Sequence, residues 1–474
     1  MHRTAFWLVA LSMWALASSP TLSIAQGLDL AGIGARAIGH AGAAVVSSDD
    51  HGALLYNPAG MARRRELRIQ IDLGIADRDV RHASTVFEPE TTGEVREQAG
   101  GDLILSAGIQ RGIGRRVVIG ASYLSPTVVN LAWAVPLVYD RPPFDEPLFE
   151  ERTHDFPQRY AATHLSLSRR GPGVGISFRA LPSLAIGAST FLWDMRLTEG
   201  RTAWGGFPED EPFSRDFDMD FVARGRDSAV PSLALGLLFA PESLPLELGA
   251  SLFWSADGNL EGTPSLRDSR GGIETEEGKA RYAVANVYSG ALAKFRLPMP
   301  LVARGGLRLL TPRIALELAG ELAKTEPTPL DWSVRGVTLT PIAGDEKELR
   351  VMPAAFSFQD TYALRAALEL DVVPGFLTMT LGYAFSRGSS PKAELSAAFA
   401  DLDAHLVSIG AEARVSGATL IFGLARSSLV REVVGKADSQ VFVLSPLGPQ
   451  AAEAGSGTYS GSAVQVGVSL EIAR

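Results

Sequence analysis

The chain predicts an all-β fold, a transmembrane antiparallel β-barrel of about fourteen strands with an N-terminal hatch in its lumen. Three observations carry that reading. Apolar residues recur at every second position over long runs, the connections between runs alternate between short and long, and the stretch that precedes the first run (residues 26–61) is rich in glycine and small side chains.

The N-terminus reads as a secretory signal. His2 and Arg3 precede an apolar core over residues 5–17, and Ser23-Ile24-Ala25 supplies a small-x-small site, so cleavage is expected after Ala25. That core is short for a membrane span of roughly 20 residues. Elsewhere no run approaches about 18 uninterrupted apolar residues; the best, residues 229–241, carries two prolines and a serine, which excludes helical spans. The expected organisation is a signal peptide over 1–25, a hatch over 26–62 and a barrel over 63–474.

Composition narrows the function classes. At 474 residues and 46% hydrophobic, the chain could form several soluble domains or one large barrel, so length does not decide. A net charge of -9 supplies no concentrated basic face, which sets nucleic acid aside as a partner. The absence of cysteine removes disulfides and thiol chemistry from an exported chain. The 48 glycines follow no Gly-X-Y period and are scattered through strands and turns.

In a strand, successive side chains face opposite sides, so a wall between lipid and a polar lumen alternates apolar with polar. Leu67, Ile69, Ile71, Leu73 and Ile75 alternate with Arg68, Gln70, Asp72 and Gly74 in this way. The same pattern sets Ile314, Leu316 and Leu318 against Glu317 and Ala319, Tyr362, Leu364, Leu368 and Leu370 against Arg365, Glu369 and Asp371, and Val464, Val466, Val468, Leu470 and Ile472 against Gln465, Gly467, Ser469 and Glu471. Six short turns (112–115, 181–183, 241–245, 311–313, 372–375, 415–417) interleave with seven long polar or Pro/Gly-rich stretches (77–100, 126–159, 198–224, 257–289, 326–358, 387–402, 431–459). Thirteen connections join fourteen strands, with short turns at one rim and long loops at the other, as in outer-membrane barrels. The weakest strand signal is 281–310, which Pro298 and Pro300 interrupt.

Those residues bring a family into view. Gly34-Ala35-Arg36-Ala37, then Gly39, Ala41-Gly42-Ala43, Asp49-Asp50 and Tyr56-Asn57-Pro58-Ala59-Gly60 resemble the hatch of the FadL/TodX family of outer-membrane transporters and its Asn-Pro-Ala signature. Leu297-Pro298, the stretch 313–332 ending in Trp332, Asp360-Thr361-Tyr362, Gly382-Tyr383, Pro391 and the stretch 403–410 with His405 are similar to the family in order and spacing. The resemblance implies passive uptake of hydrophobic molecules, with long-chain fatty acids as the leading class and aromatic or aliphatic hydrocarbons second. It implies capture on the loops, a rearrangement of the hatch (Gly34, Arg36, Gly39, Gly42, Asn57, Pro58, Ala59) and lateral exit through a distorted wall strand. It also implies the outer membrane of a Gram-negative-type envelope, contact with its lipid, and insertion by the barrel assembly machinery; a monomer is expected. The chain departs from the family at its end, Glu471-Ile472-Ala473-Arg474, where an aromatic residue is usual. A non-transporting structural or docking barrel is the reading of a different class.

Candidate ligand contacts follow from chemistry. Residues 128–149 are far more apolar than an ordinary exposed loop and offer Trp133, Phe144 and Phe149 to a hydrophobic ligand. Inward cations suit a carboxylate head, and Arg68, Arg365 and Arg414 are the candidates, although Glu369 and Asp371 on the face of Arg365 also allow a lumenal salt bridge. Asp216, Asp218 and Asp220 open like a calcium loop, but Phe221 stands where such a loop needs glycine, so a strand with one greasy face is expected and no metal or cofactor. No HExxH, GxSxG or P-loop occurs, and the chain does not read as an enzyme; His405 beside Asp403 reads as a structural residue near the outer rim rather than as a hydrolase base.

Overall fold

The structure is a computed structural model, described for residues 32–85, 94–96, 101–133, 157–204, 218–268, 273–275, 278–280, 283–325, 330–341, 346–354, 357–443 and 453–474. Fourteen antiparallel strands close into a ring. In chain order they are β1 (Arg68–Ser84), β2 (Asp102–Ile113), β3 (Val117–Ala132), β4 (His164–Leu181), β5 (Leu184–Trp204), β6 (Asp218–Phe239) and β7 (Leu246–Ser255). There follow β8 (Leu301–Leu310), β9 (Ile314–Lys324), β10 (Thr361–Val373), β11 (Leu377–Ser386), β12 (Ala404–Val415), β13 (Ala418–Val434) and β14 (Gly457–Ala473). β14 closes the ring on β1 over the whole register from Arg68↔Ala473 to Ser84↔Gly457. The expected signal peptide, Phe144 and Phe149 lie outside the described residues.

The two-residue period does what lipid on one side and packed lumen on the other require. Ile71 is 54% exposed on the outer face of β1, whereas Arg68 is 4% exposed on the inner one. A tilted strand crosses a bilayer with about 9–11 residues, yet β6 has 22. The long-loop end of the wall therefore projects beyond the apolar band. Its outward positions there become ion pairs, Arg226 with Asp194 at 2.6 Å and Arg296 with Asp257 at 2.6 Å, which would be unfavourable in hydrocarbon.

Two stretches expected as long polar connections, 257–289 and 326–358, instead carry strand. Gly258–Leu266 prolongs β7, Ala283–Leu297 leads into β8, Asp331–Pro341 prolongs β9 and Val351–Pro353 precedes β10. Apart from Ala283–Leu297 the pieces are short and interrupted by proline, so they resemble loops in sequence; inside, Leu260, Phe295 and Trp332 build a core above the membrane. The ladder is interrupted at 298–300, where Pro298 and Pro300 have no N–H to donate. Aspartates take over at such joints: Asp257 accepts from Met299 N at 2.9 Å and Asp360 from Thr325 N at 3.2 Å.

A second interruption lies between β2 and β3. They pair only from Ala107↔Tyr123 to Ile113↔Val117. Beyond that, β3 shifts register at 124–127 around Pro126 and continues with β4 alone. Side chains bridge the separated edges, Ser125 Oγ donating to the Leu105 carbonyl at 3.2 Å and Asn130 Nδ2 to Asp102.

The N-terminal segment from residue 32 occupies the lumen. It forms α1 (Ala35–Gly39), α2 (Ala53–Tyr56) and a 3-10 turn (Pro58–Arg63). Its contacts reach right round the wall: Ala35 N donates to Ser469 of β14, Val46 N to Glu317 of β9, Ser177 of β4 to the Ala59 carbonyl and Ser408 of β12 to the Gly39 carbonyl.

Candidate functional site

Asn57-Pro58-Ala59 seats the segment. The proline forbids helical backbone at Asn57, which is extended at φ -161°, and fits the first position of the 3-10 turn. Asn57 Oδ1 caps that turn by accepting from Ala59 N at 3.2 Å. Its Nδ2 donates to Val45 O at 2.8 Å and to Leu237 O of β6 at 3.0 Å, tying two parts of the segment to the wall. The backbone approaches this closely because paired wall glycines, Gly187 of β5 and Gly236 of β6, leave the space. On the opposite wall α1 rests on Gly410 and Gly423, which are paired across β12 and β13; a Cβ on Gly410 would stand 3.1 Å from Gly39 Cα.

Beneath α1 lies an ion network. Arg36 reaches Glu412 at 2.5 Å, Asp49 at 3.0 Å and Asp50 at 3.4 Å, while Arg68 contacts Asp49 and Glu471. Burial opposes ionisation of Asp49, but Arg36, Arg68 and Arg64 outweigh it and hold the carboxyl well below the usual carboxylate range. Close by, His51 Nε2 meets Asp72 Oδ2 at 2.9 Å. Burial disfavours the imidazolium, yet the Asp72 charge and hydrogen bond, aided by Asp50, raise the His51 pKa overall. A raised folded pKa gives stability that is full below the ordinary histidine value of about 6.5 and lost as pH rises through the folded value. The thermal midpoint of the purified barrel should therefore fall as pH is raised from about 6.5, and His51→Gln should flatten that slope; an unchanged slope in the variant would assign it to other groups.

Above the segment lies a cavity of about 180 Å³. Ile33, Leu55 and Tyr56 form its floor, Ala76 and Val80 of β1 and Leu131 of β3 part of its wall, and Trp133 and Phe399 its outer side. Trp133 is held by its indole N–H, which donates to Ala397 O at 2.7 Å. The lining also carries charge: Arg78 and Asp401 belong to it, and at one corner Arg304 Nε meets Glu321 at 2.5 Å while Arg365 lies 3.7 Å from the same carboxylate and donates to Ala41 O at 3.0 Å.

The structure sorts the sequence candidates. Of the three head-group arginines only Arg365 lines the cavity; Arg68 is committed to Asp49 and Glu471, and Arg414 to Glu412 and Thr378. The partner of Arg365 is Glu321 on the neighbouring strand, not Glu369, which pairs with Arg308 at 2.7 Å. Arg304 and Tyr56 were not candidates; Arg304 sits in β8 after Pro300, where the strand signal was weakest, and Tyr56 read as part of the hatch signature. Trp133 lines the cavity. Gly34, Arg36, Gly39, Asn57, Pro58 and Ala59 pack against the wall, and Gly42 borders the cavity. His405 faces outward, its Nδ1 at 2.8 Å from the Tyr383 hydroxyl and its ring against Phe385 at 5.1 Å. In β6 the greasy face is seen in buried Met219 and Phe221, and Asp218 pairs with Arg159 at 2.8 Å.

No protein-family model and no curated protein matches the chain. Solved structures do. A FadL homologue of Pseudomonas aeruginosa superposes with a TM-score of 0.67 at 16% identity, over 94% of this chain and 99% of that one. The toluene transporter TodX of Pseudomonas putida gives 0.62 at 14%, and the toluene transporter TbuX of Ralstonia pickettii 0.59 at 10%, each with 94% and 99% coverage. The chain therefore has the fold of the FadL/TodX outer-membrane barrels, as its N-terminal residues suggested.

Proposed function

We propose that this protein is a non-enzymatic outer-membrane conduit for passive uptake of hydrophobic molecules, exported by a signal cleaved after Ala25 and inserted as a monomer by the barrel assembly machinery. Residues 26–62 act as the hatch that closes the lumen. The observation that carries the reading is the placement of the cavity: it is closed below by the seated segment and bordered by β1 and β3, the strands that flank β2 where it separates from β3. A ligand that enters from the loop end meets a packed floor and an interrupted wall. The exit that costs least is sideways, between Asp102–Ser106 and the upper part of β3, into lipid, where an apolar molecule is at home. The P. aeruginosa FadL homologue and the toluene transporters share the fold, which supports hydrophobic cargo. Long-chain fatty acids and aromatic hydrocarbons are the two classes to compare.

The chain has no cysteine, so a staple across the interruption, Leu105→Cys with Ser125→Cys, introduces a single disulfide. Proteoliposomes carrying the full mature chain should take up labelled palmitate or toluene. Oxidising the staple should slow uptake at least tenfold and a reductant should restore it. Equal uptake by the stapled form would place the exit elsewhere; no uptake of either compound by the unstapled protein would overturn the transport reading and favour a docking barrel.

A further inference from the structure

We infer that the lumenal cavity recognises a compact amphipathic acid: a ring-sized apolar body bearing one carboxylate, held at the corner made by Arg304, Arg365 and Tyr56. The inference rests on the transport reading above and names the cargo for the same cavity. Size is the first argument. At about 180 Å³ the cavity is close to the ~150 Å³ engineered cavity that accepts benzene and below the roughly 300–1,000 Å³ of sites for larger ligands. A compact molecule fills it; an extended acyl chain would project from it.

Charge is the second. A purely apolar cargo needs no cation, and burying two guanidiniums beside its path is unfavourable unless they are paired. Here two share one carboxylate: Arg304 lies 2.5 Å from Glu321 and Arg365 lies 3.7 Å from it. Arg304 also contacts Leu55 O at 3.3 Å and Arg365 also contacts Ala41 O at 3.0 Å, both neutral carbonyls of the lumenal segment. The trio is one positive charge in excess, and a ligand carboxylate completes it with the bidentate geometry that guanidinium favours.

Tyr56 is the third. Its hydroxyl oxygen accepts from Ile33 N at 2.8 Å, which leaves the O–H to donate. Burial pushes its pKa up to about 12, so the proton is present at every physiological pH. Arg304 lies over the Tyr56 ring, 5.7 Å from its centre, so the three groups form one corner. Trp133 and Phe399 supply flat apolar surface for the body of the ligand on the outer side.

The test uses the full mature chain in a non-ionic maltoside, with calorimetric titration of 4-ethylbenzoate, ethylbenzene and palmitate. The acid should bind at least tenfold more tightly than ethylbenzene and more tightly than palmitate. Arg365→Met should bring the ratio of acid to hydrocarbon affinity towards one, whereas Glu321→Gln, which removes the competing carboxylate, should raise it severalfold. Heat-modifiable gel migration reports that each variant is folded. Equal affinity for acid and hydrocarbon, tighter binding of palmitate, or a Glu321→Gln variant that loses acid preference would each overturn the inference. Flux separates the two readings: proteoliposomes that pass ethylbenzene but not 4-ethylbenzoate sink this inference alone, and proteoliposomes that pass neither sink the transport reading as well.

Discussion

Gly187→Val is expected to yield a barrel that inserts normally but leaks small hydrophilic solutes. Valine suits the strand itself, and the ladder of β5 with β4 and β6 does not involve the side chain. The obstacle is inside. A Cβ at residue 187 would stand 2.6 Å from the Pro58 carbonyl oxygen and closer still to Ala59 N, both backbone atoms that no rotamer change can move. Overpacking of this kind costs about 1–3 kcal/mol or more. Lifting the turn also separates Asn57 from Val45 O and Leu237 O, and a buried amide left without partners costs about 1–3 kcal/mol. Together these exceed what a short 3-10 turn retains, so the segment leaves its seat on that side. Efflux of a hydrophilic dye from liposomes should rise at least tenfold over wild type. Gly305→Val is the control, because a Cβ there meets nothing within 4 Å. A folded Gly187→Val barrel as tight as wild type would show that residues 57–59 do not make the seal.

The architecture was legible because lipid imposes a rule on single residues. Ile69, Ile71 and Leu73 had to face out and Arg68, Gln70 and Asp72 in, and the period of two records that directly. Short turns such as Ser416-Gly417, with φ of 46° and 85°, were legible because left-handed backbone calls for glycine or a tight turn. The strands above the membrane were not, since water on their outer face imposes no apolar period: Asp257 and Glu261 read as loop, and Lys294 and Arg296 as the weakest strand, until their inward neighbours Leu260 and Phe295 are seen in one core. In the site, Asn57-Pro58 and Arg36 were legible from local backbone rules and from the resemblance. The Arg304–Glu321–Arg365 corner was not, because three strands, β8, β9 and β10, bring it together and register is a tertiary property. Arg365 was noticed, but its own strand offered Glu369 as partner, and the register gave that glutamate to Arg308.

Removing the Arg36 guanidinium should unseat the other side of the segment, and in a way that pH identifies. Arg36→Met keeps much of the stem volume but leaves Asp49, Asp50 and Glu412 without the cation that joins them, at 3.0, 3.4 and 2.5 Å. Breaking a buried pair from one side costs about 3–5 kcal/mol, mostly from the charge left behind. At neutral pH the variant should show rapid proteolysis within residues 32–63, where wild type is resistant. In wild type, Asp49 titrates below its ordinary value, so its stabilisation is present above about pH 4 and lost as acid protonates it in the folded state. The variant adds the opposite sign at Asp50: Asp49 keeps Arg64 and Arg68 and Glu412 keeps Arg414, but Asp50, whose pKa burial already raises, loses Arg36, so protonation relieves it and stability is regained as pH falls. Wild-type and variant protection should thus converge towards about pH 5 and diverge above pH 7. Glu412→Gln added to Arg36→Met removes one negative charge from the crowded cluster and should recover part of the protection at pH 7, by a margin that exceeds its effect in the wild-type background. A defect equally large at both pH values, unmoved by Glu412→Gln, would instead assign the role of Arg36 to the packing of its stem rather than to the charge it places between the segment and the wall.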